Sequence, residues 1–346
     1  MRHFSFASII LITSLLSSFL RADEVKLLIW EENFSSDLIK RFEDKSGHTV
    51  SLTYFENEMI RDEIVYTGKA KVYDLFILDG YTLSVFMKEG ILRKIDNSIL
   101  NVSNRFTIDS NSACKEYGIP YAYGSMGIGY RSSQVDMQFS SWMDIFDYAK
   151  QEPGKLVLPY EDIDTIAIAL LALGYHPMTS SEQELKEAYH LLDGVIDSLL
   201  ALSNSAGYAL EKRNKSEMDV AVFYSGEKTL ISNATGHDDW EYVIPNEGTL
   251  MWFECLASHI DKQMSKATLE FLEFIIEPRN AGKNAQDIWF ATANKEALNF
   301  TSKEYHDDKE LFPVGMKDKK IYHYEHIDAA SLSIRANILA VLLGKK

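Results

Sequence analysis

The sequence is short of cysteine and of positive charge, and past its first 22 residues no apolar run is long enough to cross a membrane. Neither of its two cysteines, Cys114 and Cys255, belongs to a Cys-x-x-Cys pair or has a histidine at metal spacing, which argues against zinc and thiol redox chemistry. Lys and Arg number 35 against 51 Asp and Glu, a formal charge of -16. Nucleic acid is disfavoured, because binding it depends on basic residues that neutralise phosphates. The imbalance suits a protein that meets cations, although solubility alone also accounts for it. No glycine-rich phosphate loop precedes a helix, and Gly124-Ser125-Met126-Gly127 lacks the spacing of a nucleophile elbow. His323 and His326, three apart, and the lone His237 and His306 read as surface residues. Internal repeats, low-complexity tracts and Pro/Gly linkers are also missing.

What is present begins with a leader. Met1-Arg2-His3 is a short basic start, Phe4 to Leu20 is apolar with interspersed serine, and Leu20-Arg21-Ala22 offers a small-residue cleavage point. This predicts a signal peptide over 1–22 and a periplasmic mature chain, not inserted in a membrane. With no cysteine at the cleavage point, a lipid-anchored form is not expected. Removing the leader leaves 33 basic against 51 acidic residues, an excess of 18. An oxidising compartment permits a Cys114–Cys255 disulfide, but the sequence leaves open whether the two side chains approach.

The 346 residues are enough for two cores. Strand-like and helix-like segments alternate: strands at 26–30, 49–55 and 73–78, separated by helices that stop at Gly47 and Gly68. The same order restarts with a strand at 155–159, a helix at 164–173, a long helix or helix pair within 182–203, and strands at 219–224 and 249–256. Helices at 266–276 and from 329 onward close the chain. This βα order predicts an α/β fold with parallel strands and two lobes. Ligands in open α/β sheets lie beyond the carboxyl ends of the strands, which selects Trp30, Asp79, Tyr81, Glu161, Tyr224 and Glu254.

Aromatics stand beside carboxylates at these ends. Glu31 follows Trp30, Asp79 is two residues from Tyr81, Glu161 and Asp164 bracket a turn, and Trp252 shares a strand face with Glu254. An alkylammonium ligand needs both partners: ring faces cover its methylenes and attract its charge, while carboxylates accept its N–H donors. Each residue also has a plainer explanation. The rings singly suit a core, Glu161 and Asp164 suit a helix N-terminus, and Asp79-Gly80 suits a turn.

Ordered stretches run through about residues 25–345: Leu28-Ile29-Trp30-Glu31-Glu32, Phe42-Glu43-Asp44-Lys45-Ser46-Gly47, Tyr73-Asp74-Leu75, Lys88-Glu89-Gly90, Ile119-Pro120-Tyr121, Ser141-Trp142-Met143-Asp144, Leu173-Gly174-Tyr175 and Trp252. In these the chain bears a resemblance to the spermidine/putrescine-binding proteins of polyamine ABC transporters. It implies a bilobal periplasmic-binding-protein fold with several hinge crossovers, one lobe over 23–131 plus 253–298 and the other over 132–252 plus 299–346. It also implies a monomer that captures a polyamine between the lobes and docks on a membrane permease, with no cofactor and no catalysis. Carried over by position, the ligand set is Trp30, Tyr81, Glu161, Asp164, Tyr224, Trp252 and Glu254, with Phe290 and Tyr324 near further contact positions. Two positions depart from the pattern: Asn33 stands for a usual Tyr and Asp79 for a usual Ser. With Asp79 in the cleft the site has four acids, which favours spermidine over putrescine. Other readings are a receptor for another cation or ferric iron, a polyamine sensor, and an enzyme using Cys255 beside Glu254.

Overall fold

The computed structural model describes residues 22–31, 33–55, 57–95, 105–212, 217–313, 318–324 and 327–345. The expected leader therefore lies outside the described residues. Among them, eleven strands form one sheet: β1 (Glu24–Ile29), β2 (Thr49–Tyr54), β3 (Leu75–Asp79), β4 (Gly118–Arg131), β5 (Leu156–Leu158), β6 (Ala201–Leu202), β7 (Val220–Tyr224), β8 (Trp240–Val243), β9 (Thr249–Ala257), β10 (Ala291–Thr292) and β11 (Ile321–His323). Along the sheet the order is β2-β1-β3-β9-β4-β7-β5-β6. The outer strands run parallel, β1 with β2 and β3 on one side and β5 with β6 and β7 on the other. Antiparallel β9 and β4 join the two halves.

The first half follows its sequence signals closely. Ser35 Oγ accepts the Leu38 amide and caps the helix Ser36–Ser46, and Gly47 ends it in the left-handed conformation with φ 75°. Within β2, Tyr54 stays exposed although Val50, Leu52 and Tyr54 share a face, because β2 is the edge strand. The segment 182–203 is split. Its helix covers Glu182–Asp193 and is closed at Gly194, and Ala201–Leu202 pairs with β5 as an edge strand.

The two largest cores lie toward opposite ends of the β4–β9 pair. One gathers Leu27, Phe42, Phe76, Ile119, Cys255 and Phe271; the other gathers Met126, Trp142, Phe146, Ile166, Val222 and Leu250. Thus β4 passes from the first core to the second within its own length. Its 14 residues allow this, since the first part pairs with β9 and the second with β7 and β8. A register shift between Pro120 and Ala122 breaks the first ladder, where proline has no N–H to contribute.

The question of the cysteines is settled: Cys114 and Cys255 form a disulfide with Cα atoms 5.5 Å apart. It ties the helix Ile108–Cys114 to β9 across a separation of 141 residues. A bridge closing so long a loop restricts the unfolded chain and contributes about 2–4 kcal/mol. Urea unfolding with and without dithiothreitol should therefore show a lower midpoint on reduction, matched by the Cys114→Ser/Cys255→Ser protein; coincident curves would show that the bridge adds no stability.

Candidate functional site

The second lobe supplies its acids from the N-terminus of the helix Asp162–Ala172, which follows β5. Asp164 is only 6% exposed and accepts hydrogen bonds from two phenols, Tyr224 at the end of β7 and Tyr324 just after β11, the latter at 2.8 Å. Burial pushes the Asp164 pKa up, and the two phenol donors oppose it. Glu161 holds the N-cap position but makes no side-chain capping bond. Its Oε2 is buried and has no hydrogen-bond partner among the described residues. Burial, then the charge of Asp164, raises the Glu161 pKa to about 7. Helix capping alone does not explain a carboxylate left in this state.

The first lobe faces it with β1, β3 and β9. Trp30, half-buried at the end of β1, packs on Phe55 with ring centroids 4.3 Å apart. Trp252 and Glu254 lie on one face of β9. Trp252 meets Phe290 edge-on at 6.0 Å, and its Nε1 is buried with no partner among the described residues. Two glycines make room for these rings. A Cβ at Gly124 would sit 2.3 Å from the Trp252 ring, and one at Gly226, whose φ is 110°, would sit 2.3 Å from Phe290.

Asn33 takes a different task from the expected ligand contact. It is fully buried, accepts the Trp30 amide at 3.0 Å and donates to Glu254 Oε2 at 2.9 Å. It positions the acid and offers no surface of its own. Asp79 also differs from expectation. It caps the helix Gly80–Lys88 by accepting the Thr82 amide at 2.7 Å, and its other oxygen accepts Arg61 Nη2 at 2.9 Å. Its charge is therefore already countered. Tyr81 is half-buried, its phenol pKa raised by burial, then by Asp79 and Asp162. Glu31 is exposed.

Sequence reasoning missed Glu58, in the first turn of the helix Glu58–Tyr66. Half of its side chain (49%) is open to solvent, yet its pKa rises to about 8, through desolvation by the surrounding walls and then through Asp79. Asp164 of the opposite lobe also acts on it, so the two acid sets face each other. The strand-end rule reaches Glu58 once β2 is followed to its end at Tyr54.

Other sites offer less. Among the described residues no three His, Cys, Asp or Glu converge to hold a metal ion. The ring of His323 stacks on Phe253, and His326 lies outside the described residues. Cys255, the candidate nucleophile, has no free thiol. An apolar cavity lined by Leu38, Pro120, Ile275 and Ala285 measures about 20 Å³, room for a single water.

A family model for bacterial extracellular solute-binding proteins matches residues 37–313. The chain belongs to this family. The solute-binding protein is 24% identical over 319 residues to the norspermidine sensor of Vibrio cholerae, covering 92% of this chain and 88% of that one. It is 28% identical over 294 residues to the spermidine/putrescine-binding periplasmic protein of Escherichia coli, covering 82% and 81%. A solved structure from Listeria monocytogenes matches with a TM-score of 0.82 at 22% identity, over 93% of this chain and 99% of that one. The spermidine/putrescine ABC transporter substrate-binding protein of Streptococcus pneumoniae gives 0.78 at 21% identity, over 93% and 99%. These likenesses confirm the bilobal α/β fold of periplasmic binding proteins.

The raised Glu161 pKa has a consequence for the ligand-free protein. Unfolded, this carboxyl gives up its proton near 4.5; folded, it holds it to about 7. Between those values the folded state binds more protons, so stability declines as pH rises. Melting temperatures from pH 5 to 8 should fall in the native protein and fall less in Glu161→Gln. Equal slopes would show that Glu161 is not the group held in its neutral form.

Proposed function

We propose that this solute-binding protein captures a polyamine between its lobes and delivers it to the membrane permease of an ABC transporter. The observation that carries this reading is the buried, unpaired Oε2 of Glu161 beside Asp164. An oxygen so placed lacks a donor, and an ammonium group supplies up to three. Trp252 and Phe290, with Trp30 at the end of β1, supply ring surface for methylene chains. The Escherichia coli and Streptococcus pneumoniae proteins carry spermidine and putrescine in their names, which supports the ligand class.

A second role is favoured by one comparison. The Vibrio cholerae relative is a norspermidine sensor, and the match extends over most of both chains. Capture is the same in both roles, and what differs is the partner of the loaded form. Uptake of labelled polyamine by cells with and without the gene separates them, because a sensor leaves uptake intact.

Binding is tested by a thermal-shift and calorimetry panel of putrescine, norspermidine, spermidine, basic amino acids and ferric iron. A ligand bound only by the folded state raises the melting temperature, by an amount that grows with the logarithm of its concentration over Kd. Spermidine should give a clear shift. Asp164→Ala removes a buried counter-charge and should weaken binding about 100-fold or more, and Trp252→Ala about 3- to 30-fold. Unchanged affinity in both variants would rule out this pocket. A shift with iron and none with amines would rule out the ligand class.

A further inference from the structure

Arg61 is 1% exposed, on the buried face of the helix Glu58–Tyr66. Its guanidinium lies 5.6 Å from the centre of the Phe55 ring, the ring on which Trp30 packs. It donates to Asp79 Oδ2 at 2.9 Å, to Asp62 Oδ1 at 2.8 Å and to Thr82 Oγ1 at 3.3 Å, with Glu58 Oε1 at 3.8 Å. A ring face, converging carboxylates and exclusion from water are what a captured alkylammonium needs. Here the protein's own side chain already has them.

We propose that Arg61 is a resident cation, occupying the first-lobe end of the ring-and-acid cleft, neutralising Asp79 and limiting the number of ligand ammonium groups that the cleft accepts. This rests on the polyamine reading of the same cleft. Two observations give it direction. Asp79 is the acid that departs from the family pattern, and its free oxygen is spent on Arg61 and not on the open cleft. Asp79 also stands near enough to Asp164 of the other lobe to act on its titration, so Arg61 shields one end of the space that a ligand spans. Without Arg61, Asp62, Asp79 and Glu58 would surround a vacated, ring-backed seat of the same chemistry.

Calorimetry with putrescine, spermidine and spermine, which carry two, three and four ammonium groups, tests this on the full chain. In Arg61→Ala the affinity for spermine relative to spermidine should rise at least tenfold over the native ratio. Arg61→Lys should keep the native ratio, and Arg61→Ala/Asp79→Ser should lose the gain. Asp79→Ser alone preserves the helix cap and should change spermidine affinity less than threefold; a loss above tenfold would place Asp79 on the ligand and overturn the proposal. A readout free of polyamine uses ethylguanidinium chloride at millimolar concentration. It should raise the melting temperature of Arg61→Ala, but not of the native protein or the double variant, while equal potassium chloride does not. An unchanged amine ratio, or no rescue in a folded Arg61→Ala protein, overturns the resident cation. Failure of the native protein to bind any of the three amines would defeat the polyamine reading, and the rescue would still decide whether a cation belongs in that seat.

Discussion

A carboxylate taken out of water needs a counter-charge or a set of donors, and the arrangement of this cleft follows from how that need is met or left unmet. Asp164 is satisfied by two tyrosine hydroxyls, Glu254 by the amide of Asn33, and Asp79 by a helix terminus and Arg61. Glu161 retains a buried oxygen without a donor among the described residues. The two phenols hold Asp164 in place without bringing a counter-charge, so its position is fixed while its charge stays uncompensated by them. A lysine in place of Tyr224 would satisfy Asp164 equally well and cancel the charge that a ligand needs. The low count of basic residues, which first looked like a matter of solubility, is therefore expressed locally as acids paired with phenols and amides.

The fold delivers these groups through two strands. Because β4 and β9 belong to both cores, residues a few positions apart along them serve different lobes. On β9, Leu250 packs in the second core, Cys255 in the first, and Trp252 and Glu254 lie between them, where the lobes meet. The disulfide at Cys255 anchors the first-lobe end of that strand to a neighbouring helix. Close approach of rings to backbone at Gly124 and Gly226 then sets where Trp252 and Phe290 lie. Any side chain at those glycines would move the ring surface, so the glycines are part of the site although they offer no functional group.

Much of this was legible from residue order. Apolar strands followed by capped helices gave the α/β architecture; of the residues assigned to carboxyl ends of strands, Trp30, Asp79, Tyr81, Glu161 and Tyr224 lie at or just past such ends, whereas Glu254 lies inside β9. What the pattern could not reveal was which polar groups face one another across strands distant in sequence. Asn33 meets Glu254 across 221 residues, and Tyr324 meets Asp164 across 160. Whether an asparagine lines a cleft or buttresses a neighbour depends on such pairings. Glu58 and Arg61 escaped for a related reason: on a helix beside an edge strand they look like ordinary solvated charges, and only the packing of that helix against Phe55 and Asp79 turns Arg61 inward.

Arg61 also changes the meaning of Asp79. Counted as a free acid, Asp79 adds a fourth negative charge and favours a ligand with more ammonium groups. Paired with a guanidinium at 2.9 Å it adds none, and Arg61 removes space as well. Asp62 and Glu58 lie beside the same guanidinium, so the group as a whole stays negative, with Glu58 its solvent-open member. The first lobe therefore attracts cations toward its rim while its inner end is closed by its own arginine. On the polyamine reading proposed above, ligand length is then set by the distance from Glu161 and Asp164 to that closed end, and not by the number of acids in the sequence.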